Sequence, residues 1–171
     1  PQPNSSAASD VYKRQVQYLR WLCQQDQFAQ SGITLFGEVL RLSDVTVPFC
    51  AVACETDHIA AWPDSYRGFT KMGSRSKTFI LSQSGHIGGI INPPSKKKYG
   101  HYTNTDMRLS HNEWQDNAAF HEGSWWSRWE SWLRKKSGKL VPAQQPGSEV
   151  FKPVCAAPGT YVLKGKSTSE K

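Results

Sequence analysis

Two short apolar runs organise the middle of the chain. Pro48 to Cys54 is apolar without interruption through Phe49, Cys50, Ala51, Val52 and Ala53. Continuous rather than alternating apolarity is the pattern of a strand covered on both faces. Lys77 to Leu81, with Phe79, Ile80 and Leu81, predicts a second strand. Between them Trp62-Pro63 opens a helix that runs through Tyr66 and Phe69 and stops at Gly73. Proline suits the first helical turn because the amide it lacks has no partner there. Strand, helix, strand predicts a parallel pair joined by a right-handed crossover. Upstream, Tyr18, Leu19, Trp21, Leu22 and Cys23 include neighbours at helical spacing and predict a helix from Gln17 that ends before Gly32. Ile33 to Ser43 mixes β-prone residues with Gly37 and reads as a short excursion or a hairpin. Downstream, Pro93-Pro94 stops any helix, and Gly88-Gly89 before it permits close backbone approach, to a packed neighbour by preference or to a ligand. Two helices follow, about Asn112 to Phe120 and Ser124 to Lys136. In the second, Trp125, Trp129, Trp132 and Leu133 share one face and read as core, with a surface for granules or membranes as the lesser reading. Ser124 reads as its N-cap, and Lys135, Lys136 and Gly138 suit its C-terminal end.

These elements predict an α/β fold of parallel strands and crossover helices, and 171 residues leave room for one domain with a core. Three segments are expected: 1–15, 16–164 and a frayed 165–171. Residues 7–15 resemble a translated sequencing-adapter peptide, so 1–15 is expected to be non-native and disordered. A hydrophobic content of 37% with seven Trp argues for a folded chain. No apolar stretch approaches the roughly 20 residues that span a bilayer, and no signal peptide opens the chain, which predicts a cytoplasmic protein. The net charge of +7 suggests an anionic partner. Its one dense basic run, Lys96-Lys97-Lys98, reads either as a solvated loop or as a phosphate contact. No zinc-finger spacing, RNA-binding strand motif or basic helix points to nucleic acid. Cys23, Cys50, Cys54 and Cys155 lack metal-ligand spacing and are read as reduced and structural. No metal or cofactor is expected.

The candidate chemistry lies where the two strands end. Cys54-Glu55-Thr56-Asp57-His58 closes the first run, and Ser82-Gln83-Ser84-Gly85-His86 closes the second. The carboxyl edge of an open α/β sheet is where ligands and chemistry gather. Asp57 followed 29 positions later by His86 matches the chain order Ser…Asp…His of α/β-hydrolase triads. A His is a general base near neutral pH, and an acid beside it fixes the tautomer and stabilises the imidazolium. Taken singly, Asp57 reads equally as a cap for the helix opening at Trp62, and His86 as a structural histidine. Together, at consecutive strand ends, they are the catalytic pair. His58 reads as packing or as positioning the acid, the first being preferred. His101, His111 and His121 show no ligand pattern. The nucleophile should sit in a G-x-S-x-G or G-x-C-x-G turn, and neither occurs. Hydrolase order places it upstream of residue 16.

The chain resembles the class I poly(3-hydroxyalkanoate) synthases. The residues that carry the resemblance are Tyr18-Leu19-Arg20, Thr56-Asp57-His58-Ile59 with Trp62, and Tyr66-Arg67-Gly68. The most specific block runs from Ser84-Gly85-His86-Ile87-Gly88-Gly89 through Ile90-Ile91-Asn92-Pro93-Pro94 to Lys96-Lys97-Lys98 and Tyr102-Thr103-Asn104. Gly123-Ser124-Trp125-Trp126, Trp129, Trp132 and Ala157-Pro158-Gly159-Thr160-Tyr161-Val162 complete the ordered set. The resemblance implies the C-terminal portion of an α/β-hydrolase fold with an incomplete sheet, and a Cys-His-Asp triad. It implies polymerisation of (R)-3-hydroxyacyl-coenzyme A with release of coenzyme A. His86 matches the general base, and Asp57 the acid that helps activate the incoming hydroxyl. None of the four Cys matches the nucleophile, so this chain by itself is expected to be inactive. The substrate is a coenzyme A thioester, the product a polyhydroxyalkanoate granule, and the full-length enzyme a homodimer. Another α/β-hydrolase, an esterase or depolymerase, and a non-catalytic fragment that binds a granule or partner are the competing readings.

Overall fold

The structure, a computed structural model, describes residues 5–163. The expected frayed segment 165–171 lies outside them. The chain divides into two compact units, one up to Lys136 and one from Ser137, where a single domain through residue 164 was expected. Among its described residues the second unit is turns, bends and irregular chain with one 3-10 turn at Tyr161–Leu163.

Helix α1 spans Ser5–Tyr18 and passes into a π-helical turn, Leu19–Gln24. Residues 5–15 are therefore helical where an irregular segment was expected, consistent with good helix formers such as Ala7, Ala8, Lys13, Arg14 and Gln15. The helix expected to continue to Gly32 is broken at Asp26, whose backbone is left-handed at φ 46°. A single turn, α2, follows at Gln27–Gln30. Strands β1 (Ile33–Leu35) and β2 (Glu38–Leu40) form the expected hairpin. Its two turn residues, Phe36 and Gly37, both have positive φ, the primed-turn geometry that matches strand twist.

The main sheet has four strands in the order β3-β4-β5-β6: Phe49–Cys54, Lys77–Ser82, His101–Thr103 and Ala119–His121. β3 and β4 are parallel, with Phe49 opposite Lys77 and Cys54 opposite Ser82. Helix α3, Trp62–Thr70, joins them. Here the apolar runs behave as expected. The other two pairings, β4 with β5 and β5 with β6, are antiparallel. The sheet is mixed, not parallel. The predicted helix to Phe120 stops as α4 at His111–Asp116. It starts at a capping box in which Ser110 and Glu113 bond reciprocally, and Asn117 closes it by donating to Glu113 O at 2.8 Å. Freed from the helix, Phe120 pairs across strands with Tyr102, ring centroids 5.2 Å apart.

The core sits between α3, α4 and one face of the sheet. Trp62, Tyr66 and Phe69 recur at helical spacing and lie against Ala53, Phe79 and Leu81. Trp114 of α4 is fully buried and meets Phe79 edge-on at 5.3 Å, and Tyr66 meets the same ring at 5.1 Å. On the other face, Cys54, Ile80 and Ser82 are also buried. Helix α5, Trp126–Arg134, departs from the expected core stripe. Trp125, just before it, is buried, whereas Trp129 and Leu133 are 41% and 39% exposed. Ser124 accepts the Trp126 amide at 3.0 Å, the bond an N-cap makes to the amide two residues on, although the cap position itself falls one residue later, at Trp125.

Candidate active site

Parallel register brings the ends of β3 and β4 to one edge, and the loops that leave them are bonded together. The Glu55 amide donates to Ser82 O at 2.8 Å and the Thr56 amide to Ser84 O at 3.1 Å. Ser84 holds φ 75°, so the chain reverses sharply just before Gly85-His86.

Asp57 and His86 meet across this seam. His86 Nδ1 is 2.8 Å from Asp57 Oδ2. Asp57 Oδ1 accepts the amides of Ile59 and Ala60 at 2.8 and 2.9 Å. This local turn lies ahead of α3; the N-cap of α3 is Ala61, so Asp57 is not its cap. The Ala60 amide, then the His86 hydrogen bond, the Ile59 amide and the His86 charge hold the Asp57 carboxyl down to about 2, against desolvation that pushes it up. The Asp57 side chain is 7% exposed and that of His86 45% exposed. A carboxylate only accepts, so Nδ1 carries the imidazole proton and Nε2 keeps the lone pair. The acid is sheltered and ionised, and the base is open.

The loop carrying His86 is anchored from below. It forms helical turns, Gly89 N to Gly85 O at 2.9 Å and Ile91 N to Ile87 O at 2.8 Å. Gly89 O accepts from Ser82 Oγ at 2.9 Å and from the Trp125 indole at 2.8 Å. The Trp126 indole donates to Ile90 O at 2.9 Å. A side chain at Gly89 would collide with Cys54 Sγ and Gln83 O, so close packing explains this glycine. The role of the two indoles is not evident from helical spacing. The available signal was chemical, since a buried indole N–H needs an acceptor.

The other candidates separate from the pair. His58 is exposed, and among the described residues no hydrogen bond or ring contact involves it, so the packing reading fails. Cys23 and Cys155 are exposed, Cys50 is half-buried and Cys54 buried, all as free thiols. Burial, and secondarily the charge of Asp57, push the Cys54 thiol up to about 11. That is the reverse of what a nucleophilic thiol needs. His101 and His121, scattered in sequence, come together with ring centroids 5.1 Å apart. Among the described residues no group of His, Cys, Asp and Glu could hold a metal ion, and no helix is long and apolar enough to cross a membrane.

No protein-family model matches the chain. Curated relatives do. A poly(3-hydroxyalkanoate) polymerase subunit of Rhizobium etli is 33% identical over 147 residues, covering 86% of this chain and 23% of the relative. That of Cupriavidus necator is 34% identical over 148 residues, covering 85% and 25%. The poly(3-hydroxyalkanoate) polymerase of Methylorubrum extorquens is 36% identical over 146 residues, covering 85% and 24%. The chain spans about a quarter of the length of these relatives.

Proposed function

We propose, for a chain that belongs to the poly(3-hydroxyalkanoate) polymerase family, that Asp57 and His86 are the acid and general base of a Cys-His-Asp triad. The observation that carries this reading is the 2.8 Å bond from His86 Nδ1 to a sheltered Asp57 carboxylate. The mixed α/β sheet is then the C-terminal portion of an α/β-hydrolase fold, and the nucleophilic Cys comes from protein beyond this sequence. The reaction is polymerisation of (R)-3-hydroxyacyl-coenzyme A by a class I enzyme.

The residues act in two steps. His86 Nε2 takes the thiol proton, the thiolate attacks the thioester carbonyl, and the coenzyme A thiol leaves with the proton from His86. The 3-hydroxyl of a further unit then attacks the acyl-Cys thioester while His86 removes its proton, and the Cys sulfur departs. In each step an imidazolium forms transiently beside Asp57. A carboxyl held to about 2 stays ionised to stabilise it. The reading includes a coenzyme A thioester as substrate with no separate cofactor. It also includes a cytoplasmic granule as product site and a homodimer for the full-length enzyme.

Coenzyme A release from 3-hydroxybutyryl-coenzyme A tests it. The 171-residue chain alone gives no turnover, and turnover that survives replacement of all four Cys overturns the assignment. In a protein of the relatives' length that carries this sequence, His86→Ala lowers polymer formation by about 10⁴-fold, the upper end for a general base, while His58→Gln is mild. A dead His58→Gln beside an active His86→Ala moves the base to the other histidine.

A further inference from the structure

A second polar site lies elsewhere in the first unit, and neither Asp57 nor His86 lines it. A cleft of about 900 Å³ opens between the segment from Pro94 to His101, the turn entering α5, and α5 itself. Lys97, Lys98, His101, His121 and Arg128 line it with one carboxylate, Glu122. Among the described residues, Lys97, Lys98 and Arg128 form no ion pair with a carboxylate.

Arg128 rests on imidazoles instead. Its Nε donates to His101 Nε2 at 3.3 Å, and its Nη2 lies 3.1 Å from His121 Nε2. His101 is 4% exposed and its tautomer is set by Gly123, because Nδ1 donates to Gly123 O at 3.0 Å and leaves Nε2 to accept. Thr103 Oγ1 contacts His121 Nε2 at 2.8 Å. Burial first, then the neighbouring His121 and Arg128, holds the His101 imidazole below its ordinary range. The guanidinium is thus oriented by neutral groups, and its exposed face keeps a charge that no carboxylate among the described residues compensates and that an oxyanion can take.

The lysines are also held in place. Asn92 is buried and donates to Lys98 O and Tyr99 O at 2.8 and 3.1 Å. Gly100 is tied to Gln83 through both its amide and its carbonyl. Lys97 and Tyr99 keep positive φ of 48° and 51° inside this clamp. The backbone that carries the two lysines is therefore fixed, while their side chains stand exposed.

We propose that this cleft binds a phosphorylated anion, with Arg128 as the fork that takes the phosphate oxygens and Lys97 and Lys98 as flanking charges. The same chemistry is offered by free pyrophosphate and by the diphosphate of a coenzyme A molecule. The site is independent of the triad reading, and His86→Ala leaves it intact.

Titrating the ¹⁵N-labelled 171-residue chain with sodium pyrophosphate and with coenzyme A, at fixed ionic strength, tests it. Saturable shifts are expected at the Arg128 Nε–H and the His101 and His121 ring nitrogens. Arg128→Gln weakens binding by about tenfold or more. Lys97→Gln with Lys98→Gln, which disturbs no hydrogen bond of the cluster, also weakens it and decides the matter should Arg128→Gln fail to fold. Lys135→Gln with Lys136→Gln leaves binding unchanged. Equal affinity for both probes assigns the diphosphate alone, and tighter coenzyme A binding assigns the nucleotide. The absence of saturable shifts overturns the proposal. So does an equal loss in the Lys135 and Lys136 control, which would reduce the effect to net charge.

Discussion

Asp57→Asn is the sharpest perturbation of the pair because it changes one atom and keeps the fold around it. The carboxamide oxygen of the new side chain can still accept the Ile59 and Ala60 amides, which Asp57 Oδ1 holds at 2.8 and 2.9 Å. The carboxamide nitrogen then replaces Oδ2, 2.8 Å from His86 Nδ1. Two donors face each other, and the imidazole relieves the conflict by moving its proton to Nε2. The lone pair now points at residue 57 and none points outward. A general base contributes about 10²–10⁴-fold. In the serine-protease triad, the corresponding Asp-to-Asn change costs about 10⁴-fold in turnover through the same wrong tautomer. On the proposed polymerase reading, a loss near 10⁴-fold in elongation is therefore expected in a protein of the relatives' length that carries this sequence, measured as coenzyme A release per unit added. Acylation of the nucleophile survives in part, because a thiol is slightly ionised near neutral pH without help from a base, whereas the attacking hydroxyl is not. The tautomer can be read directly in the 171-residue chain from the His86 ring ¹⁵N shifts, which should exchange protonated and lone-pair positions. An Asp57→Asn enzyme within about tenfold of the parent, with the ¹⁵N pattern unchanged, would refute the reasoning.

Thiol labelling at about pH 8, near the ordinary thiol range, should modify exposed Cys23 and Cys155 rapidly, and Cys54 only on unfolding, since burial first and Asp57 second raise its thiol to about 11; fast Cys54 labelling in the native chain would contradict the burial. Acid stability follows the carboxylates: Asp57 and Asp106 are held to about 2 in the fold, below their unfolded value of about 3.9. The native state therefore binds fewer protons. The stabilisation is complete above the unfolded pKa and is lost as pH falls from about 4 through about 2. Asp106→Asn should remove part of that slope in Trp-fluorescence melts, and a Tm independent of pH between about 5 and 2 would count against it. Gly89→Ala should destabilise by about 1–3 kcal/mol, because its Cβ would meet Cys54 Sγ and Gln83 O at 2.5 and 2.8 Å; an unchanged urea midpoint would show that the loop can shift away.

The parts of the fold that could be read from sequence are those with enough residues to show a period. Phe49 to Cys54, Trp62 to Phe69 and Lys77 to Leu81 each bury several side chains, so their pattern survives as β3, α3 and β4. β5 and β6 have three residues each, too few for alternation to stand out. Phe120 then looked like one more apolar position of the Trp114 helix, although Asn117 ends that helix. The Trp stripe misled for a related reason. A helical face of Trp125, Trp129, Trp132 and Leu133 states which residues share a side, not what covers that side. In this unit only the first is buried.

The two polar sites show how far this reasoning reaches. Asp57 lies three residues past Cys54 and His86 four past Ser82, and the parallel register sets Cys54 opposite Ser82. Once the βαβ unit is recognised, a separation of 29 residues becomes a hydrogen bond. No such shortcut exists for Arg128, His101 and His121. The histidines meet because β5 and β6 pair antiparallel with His101 opposite His121. Arg128 reaches them because Trp125 and Trp126 tie the start of α5 to Gly89 O and Ile90 O. Each of those causes is a single tertiary contact without a repeat in the sequence. The same two indole bonds also hold the loop that carries His86. Replacing Trp125 and Trp126 by Phe should therefore disturb both sites at once, broadening the His86 Nδ1–H resonance and weakening pyrophosphate binding. A change at one site with the other untouched would show that the two are anchored separately.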